Sequence, residues 1–202
     1  MIRRRALPLL LLPAPALAQP AFPTRPIRLI VPFPPGGTTD VLARAVGARW
    51  TETWGQPVAV DNRGGGGGVI GTEAAFRAAP DGHTLVLGNN QTHAANGALI
   101  PNLPYDPGAF AAITLIARQP HALVVPAASP ARSLAELIWL GRMPGRGLSY
   151  ASPSAGSSSH LMSETLARRT GMNATHVPYR GAAPAAQDLV AGVVDFMTAT
   201  WA

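Results

Sequence analysis

The chain has 202 residues, 47% of them hydrophobic and 13% charged, with a formal net charge of +6. That is enough apolar material for one large or two small packed domains and too much for a disordered chain. It holds neither cysteine nor lysine, which excludes disulfides, thiolate metal sites, a cysteine nucleophile, a lysine Schiff base and a lysine P-loop. Three of the positive charges are Arg3, Arg4 and Arg5; the other arginines stand singly apart from Arg168-Arg169. With no basic stripe and no interleaved aromatics, nucleic acid is not expected as a partner.

Met1 to Ala18 reads as a secretory signal peptide. Arg3–Arg5 form its basic start, Ala6–Leu12 its apolar centre, and Ala16-Leu17-Ala18 its small-x-small cleavage site. The apolar run is too short to span a bilayer and is broken by Pro8, Pro13 and Pro15, so direct membrane insertion is not expected. The mature chain would begin near Gln19, outside the cytoplasm.

Ile27 to Val31 is a short apolar run of the kind a buried strand needs. Pro32, Pro34 and Pro35 end it, and Gly36-Gly37 allow a tight turn. A helix is predicted from Gly37 or Thr38 to Trp54. Asp40 sits in its first turn, and Leu42, Val46, Trp50 and Trp54 make an apolar face. Strand, glycine turn and helix start leave backbone N–H groups free for a carboxylate or phosphate. Pro57–Asp61 reads as a second strand, Asn62–Gly68 as a glycine loop, Val69–Ala79 as a helix, and His83–Gly88 as a third strand after the Pro80-Asp81-Gly82 turn. Strands alternating with helices predict an α/β fold with a mostly parallel sheet.

Asn89, Asn90, Gln91 and Thr92 follow a strand's carboxyl end, where an open α/β sheet binds ligands; they equally suit a helix cap. Pro101–Pro107 is a proline-rich connection and the candidate crossing between domains, with Gln119-Pro120 beside it. Ala111–Ala117 and Ala122–Val125 read as strands. Ser133–Arg142 reads as a helix capped by Ser133, and Leu148–Ala151 as a strand. Ser152–His160 is a second small-residue turn before a helix that ends at Gly171. Thr175–Pro178 is a strand, Pro184 and Gly192 frame a helix, and Val193–Met197 is the last strand.

Catalytic readings fare less well. Ser157, Ser158 and Ser159 beside His160 invite a hydrolase, but the Gly-x-Ser-x-Gly elbow is missing and neighbouring helical residues face different ways. Gly66-x-Gly68-x-x-Gly71 matches a dinucleotide fingerprint, yet the acidic residue due after the next strand is replaced by Asn89 and Asn90. The histidines show no metal-ligand spacing, so no metal and no cofactor is expected.

Several blocks in order resemble the periplasmic solute receptors of tripartite tricarboxylate transporters, the Bug receptors. They are PIRLIVPFPPGG (Pro26–Gly37) with Asp40, Asn62-Arg63 before the glycine loop with Ile70-Gly71, Pro80-Asp81-Gly82, and LPYDP (Leu103–Pro107). Next come Ser133-x-x-Glu136-Leu137-Ile138, Gly156-Ser157-x-x-His160-Leu161, HVPYRG (His176–Gly181) with Pro184-Ala185, and Val194-Asp195. The resemblance implies a two-lobed periplasmic-binding-protein-like (type II) fold that is incomplete at the C-terminus. It divides the chain into a signal peptide (1–18), a first lobe (19–108) and a second lobe (109–202). It also implies a non-catalytic receptor that takes a small carboxylate through backbone amides and waters and works with membrane transporter subunits. Gly36, Gly37, Thr38, Thr39 and Asn90 are the site residues expected of the first lobe, and Ser154, Ser157 and Ser158 of the second. Asp195 is expected to meet a ligand ammonium or hydroxyl, or to cap a helix.

There are departures. Gly64 stands where the family usually has proline, the Asp106–Phe110 segment runs short, and Thr198-Ala199 replace the usual Phe-Asp. The family continues for roughly another hundred residues, so the chain reads as ending inside its second lobe. On that reading Val193–Met197 lacks neighbours, Trp50 and Trp54 lack part of their cover, and association or a molten state is expected.

Overall fold

A computed structural model describes residues 22–200; the signal-peptide reading of Met1–Ala18 lies outside them. In chain order the strands are β1 (Ile27–Val31), β2 (Val58–Asn62), β3 (Thr84–Val86), β4 (His121–Val124), β5 (Leu148–Ser152), β6 (Ala174–Pro178) and β7 (Phe196–Thr200). The helices are α1 (Thr38–Trp54), α2 (Val69–Phe76), α3 (Asn96–Leu99), α4 (Leu134–Arg142), α5 (Ser158–Thr170) and α6 (Ala182–Val190).

Two α/β lobes result. The first sheet has the order β2-β1-β3, all parallel, and the second the order β4-β7-β5-β6, parallel except for β4 against β7. In each sheet the connections run to one side of the first parallel strand and then to the other. Right-handed crossovers therefore put helices on both faces and open a crevice at the strands' carboxyl ends. That crevice lies between β1 and β3 in the first lobe, and between β5 and β7 in the second.

Burial explains the layers. Leu29 and Val31 pack with Ala43 of α1. In the second lobe Tyr150 and Phe196 pack beneath Leu137 and Leu140 of α4 and Ala167 of α5, while Ala151 and Met197 meet Ala185 and Leu189 of α6 on the other side. Local signals set the helix ends. Ser133 Oγ accepts from Glu136 N at 3.2 Å, Ser157 Oγ accepts from His160 N at 3.3 Å, and Gly55 and Gly171 close α1 and α5 in the left-handed region.

Three expectations need correction. The fully buried face of α1 is Asp40, Ala43 and Gly47, with Gly47 in van der Waals contact with Val58 and Val60, while of the Leu42–Trp54 stripe only Trp50 packs against the core cluster. Leu42, Val46 and Trp50 are half-covered, and Trp54 stacks on Trp50 with ring centroids 5.0 Å apart. Ala111–Ala117 forms no strand; Ile113 and Leu115 are exposed, and an apolar alternation with no neighbour to pair with makes no ladder. The last strand starts at Phe196 and has partners on both edges, pairing Val124 with Met197 on one side and Ala151 with Met197 on the other. It is a central strand, so the expected exposed edge is not there.

Gly71 shows how tightly α2 sits. A Cβ there would come within 2.6 Å of the Arg63 carbonyl oxygen and 2.7 Å of Pro32 Cα, both backbone atoms. Gly71→Ala should therefore cost about 2 kcal/mol or more through overpacking, read as a lower denaturant midpoint at unchanged slope. An unshifted midpoint would contradict the packing described.

Candidate functional site

The crevices of the two lobes face each other and form one cavity of about 1780 Å3. That exceeds the ~300–1,000 Å3 of ordinary small-molecule sites. The excess is a trough that runs from the polar cleft over the apolar side of the first sheet, past Leu29, Leu85 and Trp50.

At the first-lobe wall, Asp40 organises the turn after β1. It is 4% exposed, and its carboxylate accepts from Gly36 N at 2.9 Å, from Asn62 Nδ2 at 3.0 Å and from Arg44 at 3.0 Å. Burial pushes its pKa up, but the Gly36 amide, Arg44 and Asn62 together hold it below the usual carboxylate value. Asn62 Nδ2 also donates to the Phe33 carbonyl at 3.2 Å. The end of β2, the Pro34-Pro35-Gly36-Gly37 turn and the first turn of α1 are thus one hydrogen-bonded unit. The amides of Gly37, Thr38 and Thr39 have no partner among the described residues, and all three residues line the cavity. Gly36 is corrected: its amide is spent on Asp40 and it is not at the cavity wall.

The second-lobe wall repeats the design. Ser157 caps α5, leaving the Ser158 and Ser159 amides without partners among the described residues. A third helix start, that of α6, joins them, with Arg180, Ala182 and Ala183 on the wall. Gly181, at φ +124, makes this entry possible; a Cβ on it would lie 3.6 Å from Pro34 of the first lobe. Neither Arg180 nor the start of α6 was among the expected site residues. The helix framed by Pro184 and Gly192 was readable, but nothing local said that its start lies in the same space as that of α1.

Asn90, Ser154 and Ser158 also line the cavity, but their side chains are committed across it. Asn90 Nδ2 donates to Ser158 Oγ at 2.8 Å, and Ser158 Oγ donates back to Asn90 Oδ1 at 3.0 Å. Gln91, 3% exposed, donates from Nε2 to Ser154 Oγ and to the Ala155 carbonyl, each at 3.0 Å. These bonds hold the two lobes together. Asp195 is elsewhere: its carboxylate accepts from Ser149 N at 2.7 Å and Ser149 Oγ at 2.9 Å. It lies level with the start of β5, whereas the cavity opens past the end of β5, so both expected roles are replaced by a strand-to-strand tie.

The enzyme alternatives lack geometry. Ser157 Oγ accepts the His160 amide, and His160 Nδ1 accepts the Gly156 amide at 3.1 Å, so no serine–imidazole pair forms there. The Ser152–His176 contact at 2.7 Å is fully buried on the serine side, and the Ser152 hydroxyl proton goes to the Ser154 carbonyl at 2.9 Å. The Gly66–Gly68 backbone lines the same cavity but is crowded by first-lobe side chains. A Cβ on Gly67 would meet Gln91 Nε2 at 2.9 Å and one on Gly68 would meet Thr92 at 2.5 Å. The acidic residue that a dinucleotide's ribose needs is absent, because Asn89 and Asn90 stand after β3. Among the described residues no cluster of histidine and acidic side chains suits a metal ion.

Charge completes the picture. No aspartate or glutamate lines the cavity, and Arg180 is the one arginine that does; it has no carboxylate partner among the described residues. Three helix starts and a free guanidinium make the cavity positive in potential without a lysine.

A family model described as "Tripartite tricarboxylate transporter family receptor" matches residues 42–202. Protein BugT of Bordetella pertussis is 40% identical over 175 residues, which is 86% of this chain and 54% of BugT. Among solved structures, Rpa4515 of R. palustris with adipate is 39% identical with a TM-score of 0.85, covering 89% of this chain and 60% of that one. MatC from Rhodopseudomonas palustris with bound malate is 37% identical with a TM-score of 0.81, covering 89% of this chain and 61% of that one. The fold is a two-lobed, periplasmic-binding-protein-like α/β architecture. The chain spans little more than half the length of the curated relatives it matches.

Two outcomes follow from this geometry. Asp40→Asn should lower stability at neutral pH by about 1–3 kcal/mol, since three donors lose a charged acceptor. Because the folded pKa of Asp40 is lowered, its contribution is complete above the ordinary aspartate value of 3.8 and disappears as pH falls through the folded value. The variant and the parent should therefore converge in acid, as followed by urea unfolding across pH. Gln91→Ala, in turn, should loosen the lobes and enlarge the radius of gyration in small-angle scattering; an unchanged radius would mean that other contacts hold them.

Proposed function

We propose that this chain, which belongs to the tripartite tricarboxylate transporter receptor family, is an extracytoplasmic solute-binding receptor. It captures a small carboxylate in the cavity between its lobes and presents it to the membrane subunits of a tripartite tricarboxylate-type transporter. In this reading the chain works in the periplasm, reached with Met1–Ala18 as signal peptide, and its lobes divide near residue 108. Among the described residues no helix is long and apolar enough to cross a membrane.

The observation that carries the reading is the cavity's charge asymmetry: partnerless amides of three helix starts and Arg180, with no acidic side chain on the wall. An anion gains from each of these groups and a cation from none. One carboxylate sits against the Gly37, Thr38 and Thr39 amides, the Ser158 and Ser159 amides close on it from the other lobe, and Arg180 takes a second acidic group at the α6 side. Ser157 acts by capping α5 and so aiming those amides. Asn90 and Ser154 act by holding the lobes closed rather than by touching the ligand. The adipate and malate of the two neighbouring structures are both dicarboxylates, which fits a site with two anion-seeking ends.

Calorimetric titration with malate, adipate, a tricarboxylate and a neutral amide analogue tests this. Saturable heat is expected with the carboxylates alone, and Arg180→Ala should weaken dicarboxylate binding by about 10- to 100-fold, the cost of one charge-assisted hydrogen-bonded contact. Tight binding of the neutral analogue with none of the acids would overturn the reading.

A further inference from the structure

Beneath the second-lobe loop lies a cluster of titratable groups that the carboxylate reading does not use. The His160 ring of α5 stacks on the His176 ring of β6 with centroids 4.0 Å apart, and Tyr150 of β5 stacks against His176 at 5.1 Å. The Tyr150 hydroxyl donates to Glu164 at 2.7 Å, and the other Glu164 oxygen accepts from Arg168 at 2.7 Å. From β7 the cluster meets Phe196, which stacks on Tyr150 at 5.4 Å. The charged groups facing the imidazoles are thus Glu164 and, through it, Arg168, and neither makes a hydrogen bond to a ring nitrogen among the described residues.

The two rings play different parts. Ser152 spends its one proton on the Ser154 carbonyl, so in its 2.7 Å contact with His176 the serine oxygen accepts and Nε2 donates. A donor role survives protonation. His160 is the opposite: its Nδ1 accepts the Gly156 amide at 3.1 Å, which needs the lone pair. Gly156 is buried, sits at φ +79, and lies between Ser154, which is tied to Gln91, and Ser157, which caps α5. A Cβ on Gly156 would meet the tip of Leu99 of the first lobe at 3.0 Å, so the loop sits directly against the opposite lobe.

We infer that His160 is a positioning residue whose unprotonated Nδ1 braces the Ser154–Ser158 loop, so that proton uptake frees the Gly156 amide and weakens the loop's hold on an anion. A protonated ring would set N–H against N–H, with a second imidazole at 4.0 Å and no carboxylate in direct contact. Burial, and then His160 beside it, push His176 down to about 4, which leaves that ring a neutral neighbour. The receptor thereby couples its grip to the proton concentration outside the cytoplasm.

The inference rests on the carboxylate reading of the cavity, and two separate readouts keep them distinguishable. The first needs no ligand: nitrogen–proton correlation spectra of the chain from about pH 7.5 to about pH 5.5. The Gly156 and Ser154 amides should shift with the midpoint at which the His160 ring nitrogens titrate, while the Gly37 amide stays still. His160→Asn places an acceptor oxygen near the Nδ1 position without a titrating group. It should keep the Gly156 amide bonded and abolish the pH-dependent shift, whereas His160→Ala should lose the bond at every pH. The second readout is binding of malate and adipate. Affinity should drop about three- to tenfold across the transition that the Gly156 amide reports, on the scale of one hydrogen bond, and His160→Asn should bind with a flat pH profile. A Gly156 amide indifferent to the His160 titration, or a His160→Asn profile as steep as the parent's, would overturn the brace. Absence of binding at every pH would instead overturn the carboxylate reading and leave the spectra to decide the brace.

Discussion

A buried carboxylate with three donors holds the first lobe's half of the cleft. Asp40 is charged and nearly inaccessible, and that combination is affordable only because Gly36, Asn62 and Arg44 all reach it. Removing it from water costs free energy, which the charge-assisted bonds offset. The same bonds fix a turn made of two prolines and two glycines that would otherwise have little reason to adopt one shape. Gly37, Thr38 and Thr39 line the cavity in one fixed arrangement because the turn before them is pinned.

Parallel strands do the rest of the placement. In a parallel sheet every helix that follows a strand begins at the same end, so helix starts gather at one rim and their dipoles add there. The first lobe contributes α1 and the second contributes α5 and α6, and their approach creates a positive space between walls that carry no acid. The cleft wall therefore presents backbone amides and one arginine, with no acidic side chain opposing them.

The serines of the second lobe illustrate how residue type under-determines role. Ser157 caps a helix, Ser158 and Ser154 bond to amide side chains of the opposite lobe, and Ser152 links a histidine to the loop backbone. Each hydroxyl has its donor or acceptor capacity occupied by structure. None is left paired with a free base at the cleft surface, which is the geometry a nucleophile needs. The stretch that looks most like an active site in one dimension is, in three, a scaffold for backbone amides.

What could be read without coordinates was whatever is decided within a turn or a strand. The strand before Pro32, the helix from Thr38, the cap at Ser133 and the stop at Gly171 follow from side-chain size, missing N–H groups and left-handed glycine, all local causes. The alternation of strands and helices carried the fold class for the same reason. Only the tertiary structure decided which strands found partners. Ala111–Ala117 has a strand's pattern but no ladder, while the last strand slid to Phe196–Thr200 to fit between β4 and β5. It also decided that Asp195 faces Ser149, that Gln91 meets Ser154 across 63 positions of sequence, and that the start of α6 and Arg180 share a cavity with α1. Those outcomes depend on groups far apart in the chain, and a side chain's local pattern carries no record of which distant donor will arrive to satisfy it.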